Sequence, residues 1–179
     1  MIALEQHILQ PLQSQVEDAA VQASARVLSV VQEILAAAHS HIEALNAQLV
    51  ALGGHAGSPI KSGVAAALGA VASVIDNVRK TEVSKDLRDD YTALCLATAS
   101  YNLLHATALG FGNQTLADLA KQHLTEYGAL VMKTNALLPF AALKELRELG
   151  VPVDPSVAEK AQADEQSAWQ EASAKQSGS

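Results

Sequence analysis

Five side chains able to hold a proton, a ligand or a metal ion fall on apolar seams of this sequence rather than on its polar faces. His41 lies among Val27, Val31, Ile34, Ala38, Ile42, Leu45 and Leu49, and Tyr101 and His105 lie among Leu87, Tyr91, Leu94, Thr98 and Ala108. His123 and Tyr127 share their seam with Leu116, Ala120, Leu130, Thr134 and Leu137. Spacings of three and four place each set on one face of a helix. A Tyr or His buried there must find a partner or destabilise the fold by about 1–3 kcal/mol. Two arrangements provide one. The side chains can bond one another and backbone carbonyls as a polar core cluster of Tyr101, His105 and Tyr127, which fixes helix register. Alternatively, they can surround a metal ion or small ligand at mid-bundle.

Spacing tests the metal version. A di-iron bundle needs an inward Glu on two helices and Glu-x-x-His on the other two, so that both ligands of each motif face one centre. Neither Glu-x-x-His nor Asp-x-x-His occurs anywhere in the chain. Half-motifs remain at Ala38-x-x-His41 and Glu126-x-x-Ala129, and the reversed pair His123-x-x-Glu126 places two ligands on one face. Glu126, His123 and His41 are therefore the metal candidates, and so sparse a donor set would bind iron weakly.

Other chemistries lack their residues. Gly53-Gly54-His55-Ala56-Gly57 follows no strand, so it is not a phosphate loop, and no serine sits in an elbow motif. Cys95 beside Leu94 reads as a small buried hydrophobe, and a lone cysteine makes no internal disulfide. With 12 basic and 19 acidic residues the net charge is −7, and no basic run exceeds Arg79-Lys80, so nucleic acid is rejected as a partner. The longest apolar stretch, residues 63–75, falls short of the roughly 20 needed to span a bilayer. The N-terminus lacks a basic segment followed by an apolar run, and cytoplasm is the expected location.

The elements that must position these residues are helices. Of 179 residues 34 are alanine and six aromatic, a composition that suits close-packed helices and not a β-sandwich. The patterning predicts a first helix from Gln10 to Gln22 with Pro11 in its first turn, kinked there should residues 2–9 also be helical. A second runs from an N-cap at Ser24 to Leu52, stopped by Gly53-Gly54, with its separation from the first left open. An Ala-rich third spans Ile60 to Val78. Ser84 caps a fourth that ends at Gly110-Phe111-Gly112. Its second stripe, Leu96, Ala99, Leu103 and Ala106, implies burial on two sides and hence a homodimer. Thr115 with Asp118 starts a fifth in capping-box fashion, Pro139 closes it, and a short helix covers Phe140 to Leu149. Residues 1–150 thus form one helical bundle. Residues 151–179 form a partly helical extension that lies on the bundle through Trp169 or reaches a partner, with a disordered end from Gln176.

The chain resembles the YciE/YciF branch of the ferritin-like superfamily. The resemblance rests on His39-Ser40-His41-Ile42-Glu43-Ala44-Leu45-Asn46 before Gly53-Gly54, and on Ala99-Ser100-Tyr101-Asn102-Leu103-Leu104 leading through Gly112 into Leu116-Ala117-Asp118-Leu119-Ala120. Leu124-Thr125-Glu126 continues it, and together these span residues 5–138. It implies an all-α antiparallel four-helix bundle, often dimeric, in bacterial proteins linked to general stress responses and holding a carboxylate-bridged metal pair. Aligned so, the ligand positions read Ile8, Ala37, Leu94 and Ala97, and only Glu126 keeps its carboxylate.

A hydrocarbon centre is therefore expected where the metal would sit, with no cofactor and no catalysis, in a structural or stress-associated protein. Two alternatives stay open: a metal-binding oxidase or iron-handling protein of the same fold using iron or manganese, and a bundle holding a small apolar ligand near Tyr101 and Tyr127.

Overall fold

The computed structural model describes residues 1–54 and 83–177, and these contain helices and no strand. In chain order they are α1 (Ile2–Gln15), α2 (Ala19–Gln22), α3 (Ala25–Ala51), α4 (Val83–Gly110), α5 (Gln114–Glu148) and α6 (Val157–Ser177). The loop 55–59 and the Ala-rich helix expected at 60–78 lie outside the described residues.

Helices α1, α3, α5 and α4 close a ring of contacts, each packed against the next and α4 returning to α1. All four supply the core: Ile8 and Leu12 from α1, Val31 and Ile34 from α3, Leu87 and Leu94 from α4, Leu130 and Leu137 from α5. The pair α4 and α5 shares the largest contact. The residues 111–113 that join them include Gly112 at φ +70°, a conformation that costs a residue with a Cβ roughly 1–2 kcal/mol. Beside this turn His105 donates from Nδ1 to the Ala117 carbonyl at 2.8 Å, tying α4 to α5 through the backbone.

Several local expectations fail, each because packing or a different cap wins. The first helix begins at Ile2, and Pro11 lies inside it. Ile8 and Leu12 on either side are 3% and 0% exposed, so burial offsets the lost backbone bond. That helix stops at Gln15, and α2 starts afresh with Asp18 accepting from the N–H groups of Ala20 and Val21. Ser24 then takes an extended conformation, so a real break precedes α3. Pro139 does not close α5, which runs unbroken to Glu148 with Leu137 and Ala141 buried on both sides of the proline. Asn113, not Thr115, caps α5, accepting from the Leu116 N–H at 3.1 Å. Ser84 lies inside α4, where its N–H and Oγ both donate to Glu145 of α5.

The surface bears on two further expectations. The second stripe of α4 is open in this chain, with Leu96 50% and Leu103 69% exposed. Trp169 does not anchor α6, being 51% exposed. That helix instead docks on α5 through buried Ala158 and a bond from Asn135 to Glu165 at 2.7 Å, and it continues through Gln176 to Ser177.

Candidate functional site

Each helix of the ring delivers polar side chains to one cluster, buried except at Glu126, whose side chain is 41% exposed. Glu5 comes from the first turns of α1, His41 from the middle of α3, Tyr101 from α4, and His123, Glu126 and Tyr127 from consecutive turns of α5. The cluster centres on Glu5, which is 0% exposed. A carboxylate so placed is unstable unless donors surround it. Three do: the Tyr101 hydroxyl donates to Oε1, the Tyr127 hydroxyl to Oε2, and His41 Nδ1 lies 3.2 Å from Oε1.

His41 also faces a second acid, its Nε2 lying 2.7 Å from Glu126 Oε2. Both ring nitrogens thus point at carboxylate oxygens, and both bonds form when the ring carries two protons. The ring of His123 stacks on that of His41 at 3.7 Å, almost parallel, and the two tyrosine rings close the sides at 5.7 and 4.5 Å from His41.

Titration follows from these contacts. Burial first, and then the His41 charge beside it, lower His123 to about 4, so the stacked ring is neutral at pH 7. Burial and then Glu5 push both Tyr101 and Tyr127 far upward, so they remain donors and never phenolates. For Glu126, burial pulls upward, but hydrogen bonds from Gln122 and His41 outweigh it and leave the carboxyl below its usual range. The cluster is therefore two carboxyl groups bridged by the His41 ring, with a second imidazole, neutral at pH 7, stacked on the bridge.

The sequence-derived candidates divide accordingly. His41, His123, Glu126, Tyr101 and Tyr127 meet in one place. His105 does not join them, since its Nδ1 is engaged by the Ala117 carbonyl. The hydrocarbon centre is overturned as well. Ile8, Leu94 and Ala97 are buried as expected, but one turn before Ile8 the acid Glu5 enters the interior. Its signal was present: Glu5, Ile8, Leu12 and Gln15 recur at three and four, and all four are buried.

The donor set does not fit a carboxylate-bridged metal pair. Such a centre takes four carboxylates and two imidazoles around one point, and the ring of helices brings two carboxylates. Both oxygens of Glu5 accept from tyrosines, and both nitrogens of His41 face acids. Among the described residues no three His, Cys, Asp or Glu side chains are placed to hold a metal ion. His123 Nδ1 is buried without a hydrogen-bond partner.

No protein-family model matches the chain, and neither the curated proteins nor the solved structures provide a match. Among the described residues no helix is long and apolar enough to cross a membrane.

Proposed function

We propose that this chain is a non-catalytic, ferritin-like antiparallel four-helix bundle in which a protonated histidine occupies the place of a metal cation. The supporting observation is His41 between Glu5 and Glu126, with Tyr101 and Tyr127 taking the outer sides of Glu5. A metal pair in such a bundle neutralises inward carboxylates and sets helix register. An imidazolium supplies the same sign of charge from within the chain, with no open coordination position for oxygen or substrate. The role that follows is structural, in a cytoplasmic, stress-associated setting. The three-residue connection 111–113 between α4 and α5 supports the antiparallel arrangement.

The bundle is proposed to work as a homodimer through the outer face of α4. Leu96, Ala99, Leu103 and Ala106 are exposed there, and no charged residue occurs from 91 to 117. A stripe that alternates Leu and Ala is self-complementary about a two-fold axis, because each Leu of one copy faces an Ala of the other. Size-exclusion chromatography with light scattering should give twice 18.7 kDa, and a lone 18.7 kDa species would remove this part of the proposal.

The rival reading is a metal-binding protein using Glu126, His123 and His41, and the unpartnered Nδ1 of His123 favours it. Elemental analysis of protein purified without chelator separates the two. The proposed reading requires substoichiometric iron and manganese, whereas one or two ions per chain, lost in His123→Ala, would establish the rival.

A further inference from the structure

A second buried polar group lies ten residues further along α1, about 15 Å from Glu5 along the helix axis. Gln15 closes α1 at 8% exposure and donates from Nε2 to Oδ1 of Asp90 on α4 at 3.0 Å. Asp90 is itself 6% exposed, and Asp86 stands one turn before it on the same face of α4. This bond uses one atom of each partner and leaves the others orphaned. Gln15 Oε1, Asp90 Oδ2 and Asp86 Oδ2 are all buried without a hydrogen-bond partner. The other such side-chain atoms among the described residues are His123 Nδ1 and Thr134 Oγ1, so three of the five belong to Gln15, Asp86 and Asp90.

Three orphan oxygens, two of them from carboxylates, form an unbalanced set. The amide of Gln15 has turned its donor to Asp90, so its own oxygen adds to the acceptors and offers nothing to neutralise them. No ion pair within 4 Å engages Asp86 or Asp90 among the described residues, and Lys85 reaches Asp86 only as a longer-range field. Asp18 and Glu145 add further negative field at Asp86. Unsatisfied buried acceptors destabilise a fold unless a proton, a water or a cation completes them.

We propose that Gln15, Asp86 and Asp90 form a site for a hard divalent cation, with water completing the coordination. The donors fit the class: two carboxylate oxygens and one amide oxygen, with no sulfur or imidazole, select calcium, magnesium or manganese over zinc or copper. Because Gln15 belongs to α1 and the aspartates to α4, the ion clamps two helices and stabilises the closed ring. The site stands apart from the Glu5–His41 cluster and does not depend on its reading.

Full-length protein stripped with chelator and then dialysed free of it provides the test. Calcium and, separately, manganese are titrated in calorimetry, and thermal unfolding is followed against sodium chloride of matched ionic strength. One ion should bind per chain, and at hundredfold excess over Kd the Tm should rise by about 5 °C or more. Asp90→Asn and Gln15→Leu should each weaken binding at least tenfold and abolish most of the Tm rise. Asp86→Asn serves as a third variant should either fail to fold. Manganese bound to the wild type should also show immobilised-ion relaxation that Gln15→Leu removes, a signature a merely structural role would not move. A Tm rise no larger than that from sodium chloride, or one kept in all three variants, overturns the proposal.

Discussion

Replacing Glu5 by glutamine removes one charge and almost no volume, which makes it the sharpest perturbation of the buried cluster. In the wild type three donors converge on this carboxylate, namely Tyr101, Tyr127 and His41, and water has no access. Glutamine keeps one acceptor oxygen and presents an NH2 group where the other was. A tyrosine hydroxyl can rotate to accept from that amide, but a doubly protonated His41 cannot. The charge-assisted bonds weaken from roughly 1.5–3 kcal/mol each toward the 0.5–1.5 kcal/mol of neutral ones. His41 keeps only Glu126 as counter-charge. Removing one partner of a buried ion pair costs about 3–5 kcal/mol, and the surviving Glu126 contact places this variant near the lower end, about 3 kcal/mol. For a chain of this length that lowers Tm by about 6–12 °C.

Urea unfolding followed by far-ultraviolet circular dichroism should show a reduced midpoint at unchanged slope, since the surface exposed on unfolding is the same. Pairing Glu5→Gln with His41→Gln should give a double variant less destabilised than the sum, with coupling above about 1 kcal/mol. Equal midpoints for wild type and Glu5→Gln, or strict additivity with His41→Gln, would refute the ion-pair reasoning.

Other substitutions probe different parts of the account. Thr134 is fully buried with no partner for Oγ1, so Thr134→Val should raise stability by about 1 kcal/mol, readable as a higher urea midpoint. His123, lowered to about 4 in the folded state against 6.5 unfolded, binds fewer protons when folded. Its contribution is therefore complete above about pH 6.5 and is lost as pH falls toward 4, and the lowered Glu126 acts in the same sense at lower pH. Asp90, held near 7 by burial, works with opposite sign, so the comparison must be differential: wild type minus His123→Phe should lose stability between pH 6.5 and 4. A flat difference across that window would mean His123 is not desolvated. Leu103→Glu on the outer face of α4 should convert a dimer to monomer in light scattering without changing the helical spectrum, because that side chain is 69% exposed within one chain.

The helical class was legible because an Ala- and Leu-rich chain with apolar spacings of three and four has few other ways to bury itself. The seams of α3, α4 and α5 carried through with Val31, Ile34, Leu87, Leu94, Leu130 and Leu137 all inside. Boundaries went wrong where a local rule met tertiary packing. Pro11 and Pro139 each carry a penalty of about 3 kcal/mol in a helix interior, yet the flanking pairs Ile8/Leu12 and Leu137/Ala141 are buried and hold the helix through. At the site the histidines and tyrosines were recognisable, since a polar residue on an apolar seam declares itself. Glu5 was missed because it precedes the first helix expected from Gln10, and its partners Tyr101 and Tyr127 lie 96 and 122 residues away. Gln15 and Asp90 escaped notice because they are paired across 75 residues. His105 misled because its seam position served a backbone carbonyl and not the cluster.

The protonation state of His41 bears most directly on whether a side-chain cation bridges Glu5 and Glu126. Long-range nitrogen–proton correlation spectra of uniformly 15N-labelled protein at pH 7, assigned with His41→Gln, should show both ring nitrogens of His41 protonated and those of His123 in a neutral tautomer. A neutral His41 ring, with one nitrogen bare, would contradict the account.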